Sequence, residues 1–96
     1  MPMQARVESN KLHLEPLQHS AGLHVIVNFE NYDGSWSTAP NSPVPYQRMA
    51  YQLEHLLGKT VERVKHIEAE LNAGRWILIE SRCARKHLVN AGFVER

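Results

Sequence analysis

The sequence predicts a small α+β domain, in which an antiparallel or mixed sheet carries two or three helices packed mainly on one face as a two-layer sandwich. Three observations carry that expectation. Leu23, Val25, Val27 and Phe29 alternate with His24, Asn28 and Glu30, the period of a half-buried strand, with Ile26 as the one exception. Two later stretches, Tyr46 to Leu57 and Val61 to Leu71, place their apolar residues three and four apart, the period of helices. Between the second of these and a further helical pattern, Trp76, Ile77, Leu78 and Ile79 form a run apolar on both faces, which predicts a strand at the centre of the core with Trp76 and Leu78 buried.

In chain order, residues 1–22 carry weak signals. Leu12 and Leu14 alternate with Lys11, His13 and Glu15, and Pro16 ends the pattern, so a brief edge strand is expected there. Asp33-Gly34 has the chemistry of a two-residue hairpin turn. That turn would pair Asn31 with Trp36 and put Trp36 on the core face with Phe29. Residues 38–45 hold Pro40, Pro43 and Pro45 among Asn and Ser, which makes a stiff connector. Pro45 sits at the start of the first helix and Gly58 at its end. Thr60 is placed to cap the next helix, and Gly74 to close it. Ser81 is placed to cap the last helix, Gly92 to close it, and Phe93 to make the hydrophobic contact that accompanies such an end.

With 96 residues, 43% hydrophobic and 22% charged, the chain is expected to be one folded domain, residues 1–96. The start lacks the apolar core of a signal peptide and no run is long enough to span a bilayer, so a cytoplasmic location with no membrane partner is expected. A single cysteine excludes an internal disulfide framework. The net charge of +1 is unevenly spread, about −2 over residues 1–58 and +3 over residues 59–96. That falls far short of the basic stripe of a committed nucleic-acid binder.

The residues with functional potential fall in four groups. Helical spacing puts Arg82, Arg85 and Lys86 on one face of the last helix with Val89 inside the basic arc, either a binding patch that steers an acidic partner or a solvated helix face. Arg48, Tyr51 and His55 fall together outside the apolar arc of the first helix, either a binding hot spot or a tyrosine tucked under the proline loop. Glu62, His66 and Glu70 form a stripe that reads as solvated charge pairs in preference to a metal site, and no cofactor is expected. Cys83, in the first turn of the last helix, reads as a small buried hydrophobe in preference to a thiolate nucleophile.

With no phosphate loop, nucleophile elbow or HExxH spacing, an enzyme is not expected. The expectation is a small binding or inhibitor protein that occupies a surface of a larger protein, of the kind used by phages and mobile elements against host machinery. The alternative is a nucleic-acid-binding regulator that sets Arg82, Arg85 and Lys86 against phosphates. A second alternative is a small enzyme centred on Cys83 or a histidine. A strand apolar on both faces needs its second face covered by the last helix, the N-terminal segment or a second copy of the chain, so a homodimer is also expected.

Overall fold

The computed structural model describes residues 9–31, 33–57, 61–82 and 84–93. The elements are β1 (Ser9–His19), β2 (Gly22–Glu30), β3 (Trp36–Thr38), β4 (Val44–Pro45), α1 (Tyr46–Leu56), α2 (Val61–Asn72), β5 (Ile77–Arg82) and α3 (Ala84–Asn90). The sheet is antiparallel with strand order β3-β2-β1-β5, and the short β4 joins the same edge of β2 as β3. The expected α+β architecture is therefore present. The expected helix end at Gly58, the expected cap at Thr60 and Cys83 lie outside the described residues.

The inward side chains of the sheet, Leu12, Leu14, Val25, Val27, Phe29 and Ile79, form one core with Met49, Leu53, Val64, Ile67, Leu71, Leu88 and Phe93. All three helices thus lie on one side of the sheet. Tyr46 ties two of them together, since its buried hydroxyl donates to the Val64 carbonyl at 2.8 Å. The helix ends follow the glycines. After α2 the Arg75 N–H bonds the Glu70 carbonyl at 3.1 Å, and after α3 the Phe93 N–H bonds the Leu88 carbonyl at 2.8 Å. Gly74 and Gly92, each at positive φ, make both closures possible.

Four expectations need correction. The first concerns β1, which is not a brief edge strand but eleven residues long and interior, between β2 and β5. Pro16 lies within it, opposite Val25. The Val27 N–H and C=O bond Ser42 Oγ and the Ala39 N–H, on the far side of β2 from β1. By the alternation of an antiparallel ladder, Pro16 then turns its missing N–H towards the β5 side. β5 pairs with β1 only as far as Leu14, so no ladder bond is lost at Pro16.

The second correction is that β5 is an edge strand, not the centre of the sheet. Ile77 and Ile79 turn inward, whereas Trp76 and Leu78 are 51% and 56% exposed. The third concerns Trp36. The Gly34 N–H bonds the Asn31 carbonyl at 3.0 Å and the Asn31 N–H bonds the Ser35 carbonyl at 2.7 Å, which closes a loop one residue longer than the expected turn. Glu30 then pairs with Trp36. A one-residue slip turns every side chain over, and Trp36 stands 45% exposed on the face opposite Phe29.

The fourth correction is at the start of α3. Ser81 does not cap that helix: it belongs to β5, and its hydroxyl donates to the Leu56 carbonyl at 2.8 Å, pinning the end of α1 to the sheet.

Candidate binding site on the open face of the sheet

The helices cover one face of the sheet, and among the described residues the other face is open. Its centre is a row of four side chains across four strands, Thr38, Asn28, His13 and Leu78, paired in register. Asn28 links three of the four strands of the row. Its amide oxygen accepts from the Thr38 hydroxyl at 2.8 Å, and its NH₂ donates to the His13 carbonyl at 3.2 Å. The two tryptophans flank His13, with ring centroids 6.0 Å from it for Trp36 and 5.1 Å, edge-on, for Trp76.

Local chemistry fixes Trp36 in this place. Asp33 Oδ1 accepts from the Ser35 N–H and hydroxyl at 3.0 and 2.6 Å, and those bonds hold its carboxyl below the usual carboxylate range. The Asn31 NH₂ donates to the hydroxyls of Ser35 and Ser37 at 3.1 and 2.8 Å. The hairpin loop is thus braced from both strands, and the residue that follows Ser35 leaves it on the open face.

Of the five large apolar side chains that stand exposed among the described residues, four are here: Leu17, Trp36, Trp76 and Leu78. Ile26, half-buried, adds to them, which accounts for the one apolar residue that broke the alternation of β2. The charged residues of the face are of both signs: Lys11 and Arg82 against Glu15, Glu30 and Glu80, by alternation along β1, β2 and β5. Trp and Arg dominate binding hot spots, and two exposed tryptophans with two exposed leucines on one face suit a contact surface. The open face could have been suspected from the sequence. Ile26, an unexplained exception to the alternation, and the outward half of the Trp76–Ile79 run, which reads as core, were the signal.

The residues singled out from the sequence are dispersed. Arg82 is on β5 and points to the open face, so it shares no helix surface with Arg85 and Lys86. Arg85 is half-buried with its guanidinium 5.7 Å from the centre of the Phe29 ring on the core side, and Val89 packs against the core. Lys86 is exposed. The expected basic stripe is therefore not assembled, because α3 begins after Arg82 and turns its Arg85 side towards the sheet.

Arg48, Tyr51 and His55 do share a surface on α1. Tyr51 is 61% exposed and not tucked under the proline loop, and its ring meets His55 edge-on at 5.0 Å. α3 adds His87, whose ring lies 5.6 Å from His55 and whose Nε2 shares a 2.6 Å hydrogen bond with Gln52 Oε1. The Arg48 guanidinium lies over the Phe93 ring at 5.3 Å. On α2, His66 lies 3.4 Å from Glu70, whose other oxygen is 2.6 Å from Arg75. Glu70 is thus engaged in an ion pair with Arg75, and among the described residues no group of three or more His, Cys, Asp or Glu is placed to hold a metal ion.

No helix of the described residues is long and apolar enough to cross a membrane. Comparisons with protein-family models, with curated proteins and with solved structures each find no match to this chain.

Proposed function

We propose that the protein is a small non-enzymatic interaction module that works by protein–protein contact, with Trp36, His13, Trp76 and Leu78 as its working surface. The observation that carries this reading is the exposure of both tryptophans and Leu78 on a sheet face that the helices leave open. Desolvating two indoles and a leucine on a strand platform costs less conformational entropy than ordering a loop, because the strands are paired and both indoles already lie beside the His13 ring. Such contact needs no catalytic group, which is how a small inhibitor that blocks a surface of a larger protein acts.

Exposed aromatics on a sheet also stack nucleic-acid bases, but that mode needs a cationic groove for the phosphates. Here the two cations of the face are outnumbered by three carboxylates, Glu15, Glu30 and Glu80. Electrostatics therefore favour protein. The test is affinity capture from a lysate of the source cells, with nuclease, comparing the parent with the Trp36→Glu, Trp76→Glu double variant. A protein, which can be the endogenous copy of this chain, is expected to be captured by the parent and lost from the folded variant. Equal capture by both baits, or a captured species that disappears with nuclease, would overturn the proposal.

A further inference from the structure

The open face has a definite shape and charge, and these say which protein fits it. β1 runs eleven residues and β2 nine, side by side with β5 and β3. At about 3.3 Å per residue and about 4.8 Å between strands, the face is roughly 30 by 15 Å. That is about 450 Å² of plane before the relief of the side chains is added, within reach of the roughly 600 to 1,000 Å² per partner that a specific interface buries.

Its charges do not select an oppositely charged partner. Lys11 pairs in register with Glu80, and Arg82 follows two residues later on the same strand, so cations and carboxylates are interspersed around the apolar centre. A face with two cations and three carboxylates interspersed around Trp36, Trp76, Leu78 and Ile26 is close to neutral, so a second copy of the same face meets it without a large net repulsion. Strongly acidic or basic partners gain nothing from it.

From this we infer that a second copy of the chain occupies the open face, sheet against sheet; the inference rests on reading that face as a protein-contact surface. Two twisted sheets stack in this way at about 10 Å with their strands within about 30° of each other, a spacing that large side chains such as tryptophan fill. The dimer is then a four-layer assembly with helices on both outer sides. Arg48, Tyr51, His55 and Lys86 remain outside it, displayed twice on opposite surfaces.

The test is sedimentation equilibrium of the full chain over about 1 to 300 µM, a range that spans the roughly micromolar Kd expected of an interface at the small end of the specific class. Tryptophan emission is recorded on the same samples. A monomer–dimer equilibrium is expected, with emission shifting to the blue as the dimer fills, because both tryptophans of the chain lie on the face. Trp76→Glu and Leu78→Glu should each weaken dimerisation at least tenfold, with far-UV circular dichroism unchanged, whereas Lys86→Glu should leave it as in the parent.

A parent that stays monomeric to the highest concentration overturns the inference without reference to any variant. So does a dimer whose tryptophan emission does not change with concentration, since its interface then lies elsewhere. A monomeric parent that still captures a different protein through Trp36 and Trp76 would refute the second copy and leave the interaction module standing. If the face variants change neither capture nor self-association, both readings fail.

Discussion

Tyr46 shows how much one side chain does in a core this small. Its ring fills the core where α1 begins, and its hydroxyl satisfies a bond to the Val64 carbonyl that ties α1 to α2. Burial first, and then the negative charge of Glu68, push the phenol up to about 12. An unfolded tyrosine titrates near 10, so between about pH 10 and 12 the unfolded chain releases a proton that the folded chain keeps. Stability should fall across that window, while below about pH 10 the phenol is protonated in both states and its contribution is intact. Tyr46→Phe should cost about 1 kcal/mol at neutral pH, the worth of one hydrogen bond, and should remove Tyr46's share of the alkaline loss. Urea titrations of both proteins at pH 7, 10 and 11.5 measure each effect. An alkaline loss as steep in the variant as in the parent would show that another group is responsible.

Among the elements, β5 is where local pattern and tertiary placement disagree most. A run apolar at every position reads as a strand with both faces buried, and at such a site Leu78→Ala would cost about 2 to 5 kcal/mol. On an edge strand with its outer side exposed, the same change should stay within about 0.5 kcal/mol. Leu53→Ala, on the buried arc of α1, should show the full core cost. Chemical unfolding of the two variants at low micromolar concentration, where self-association does not contribute, separates the two placements. Comparable losses in both would return Leu78 to the core. The loop at Asn31–Ser35 makes the same point on a smaller scale, since Asp33-Gly34 correctly marks a hairpin while one extra loop residue reverses the face to which Trp36 belongs.

At the scale of the molecule, the sheet order sets which backbone bonds are protected. β1 is flanked by β2 and β5, and β2 by β1 and the pair β3 and β4, whereas among the described residues β5 and β3 each have one neighbouring strand. Amide hydrogen exchange followed by NMR should therefore be slowest for the residues whose N–H groups form the β1–β2 ladder, His13, Glu15, Ile26 and Asn28, and faster along β5. The opposite ranking, with β5 slowest, would mean that it is interior after all. Among the described residues one face of that sheet carries no helix. The molecule places both of its tryptophans there, and the Tyr51 and His55 surface on the other side of the core.

The sequence by itself determined the class of fold and most of its elements, because those depend on contacts within a few residues. The alternation of Leu23 to Phe29, the helical arcs of α1 and α2, and the glycines that close α2 and α3 are all local, and each stands in the structure as expected. The Arg48, Tyr51 and His55 surface was legible for the same reason, being one face of one helix. Only the tertiary structure decided what depends on register and strand order. An apolar residue on a strand carries no mark of whether a helix, solvent or another chain will lie over it, so Trp36, Trp76 and Leu78 read as core. Likewise, four residues of helical spacing do not show where the helix starts. With α3 beginning after Arg82 and Arg85 drawn towards Phe29, the basic patch dissolved, and the candidate site moved to a face assembled from four strands that are distant in sequence.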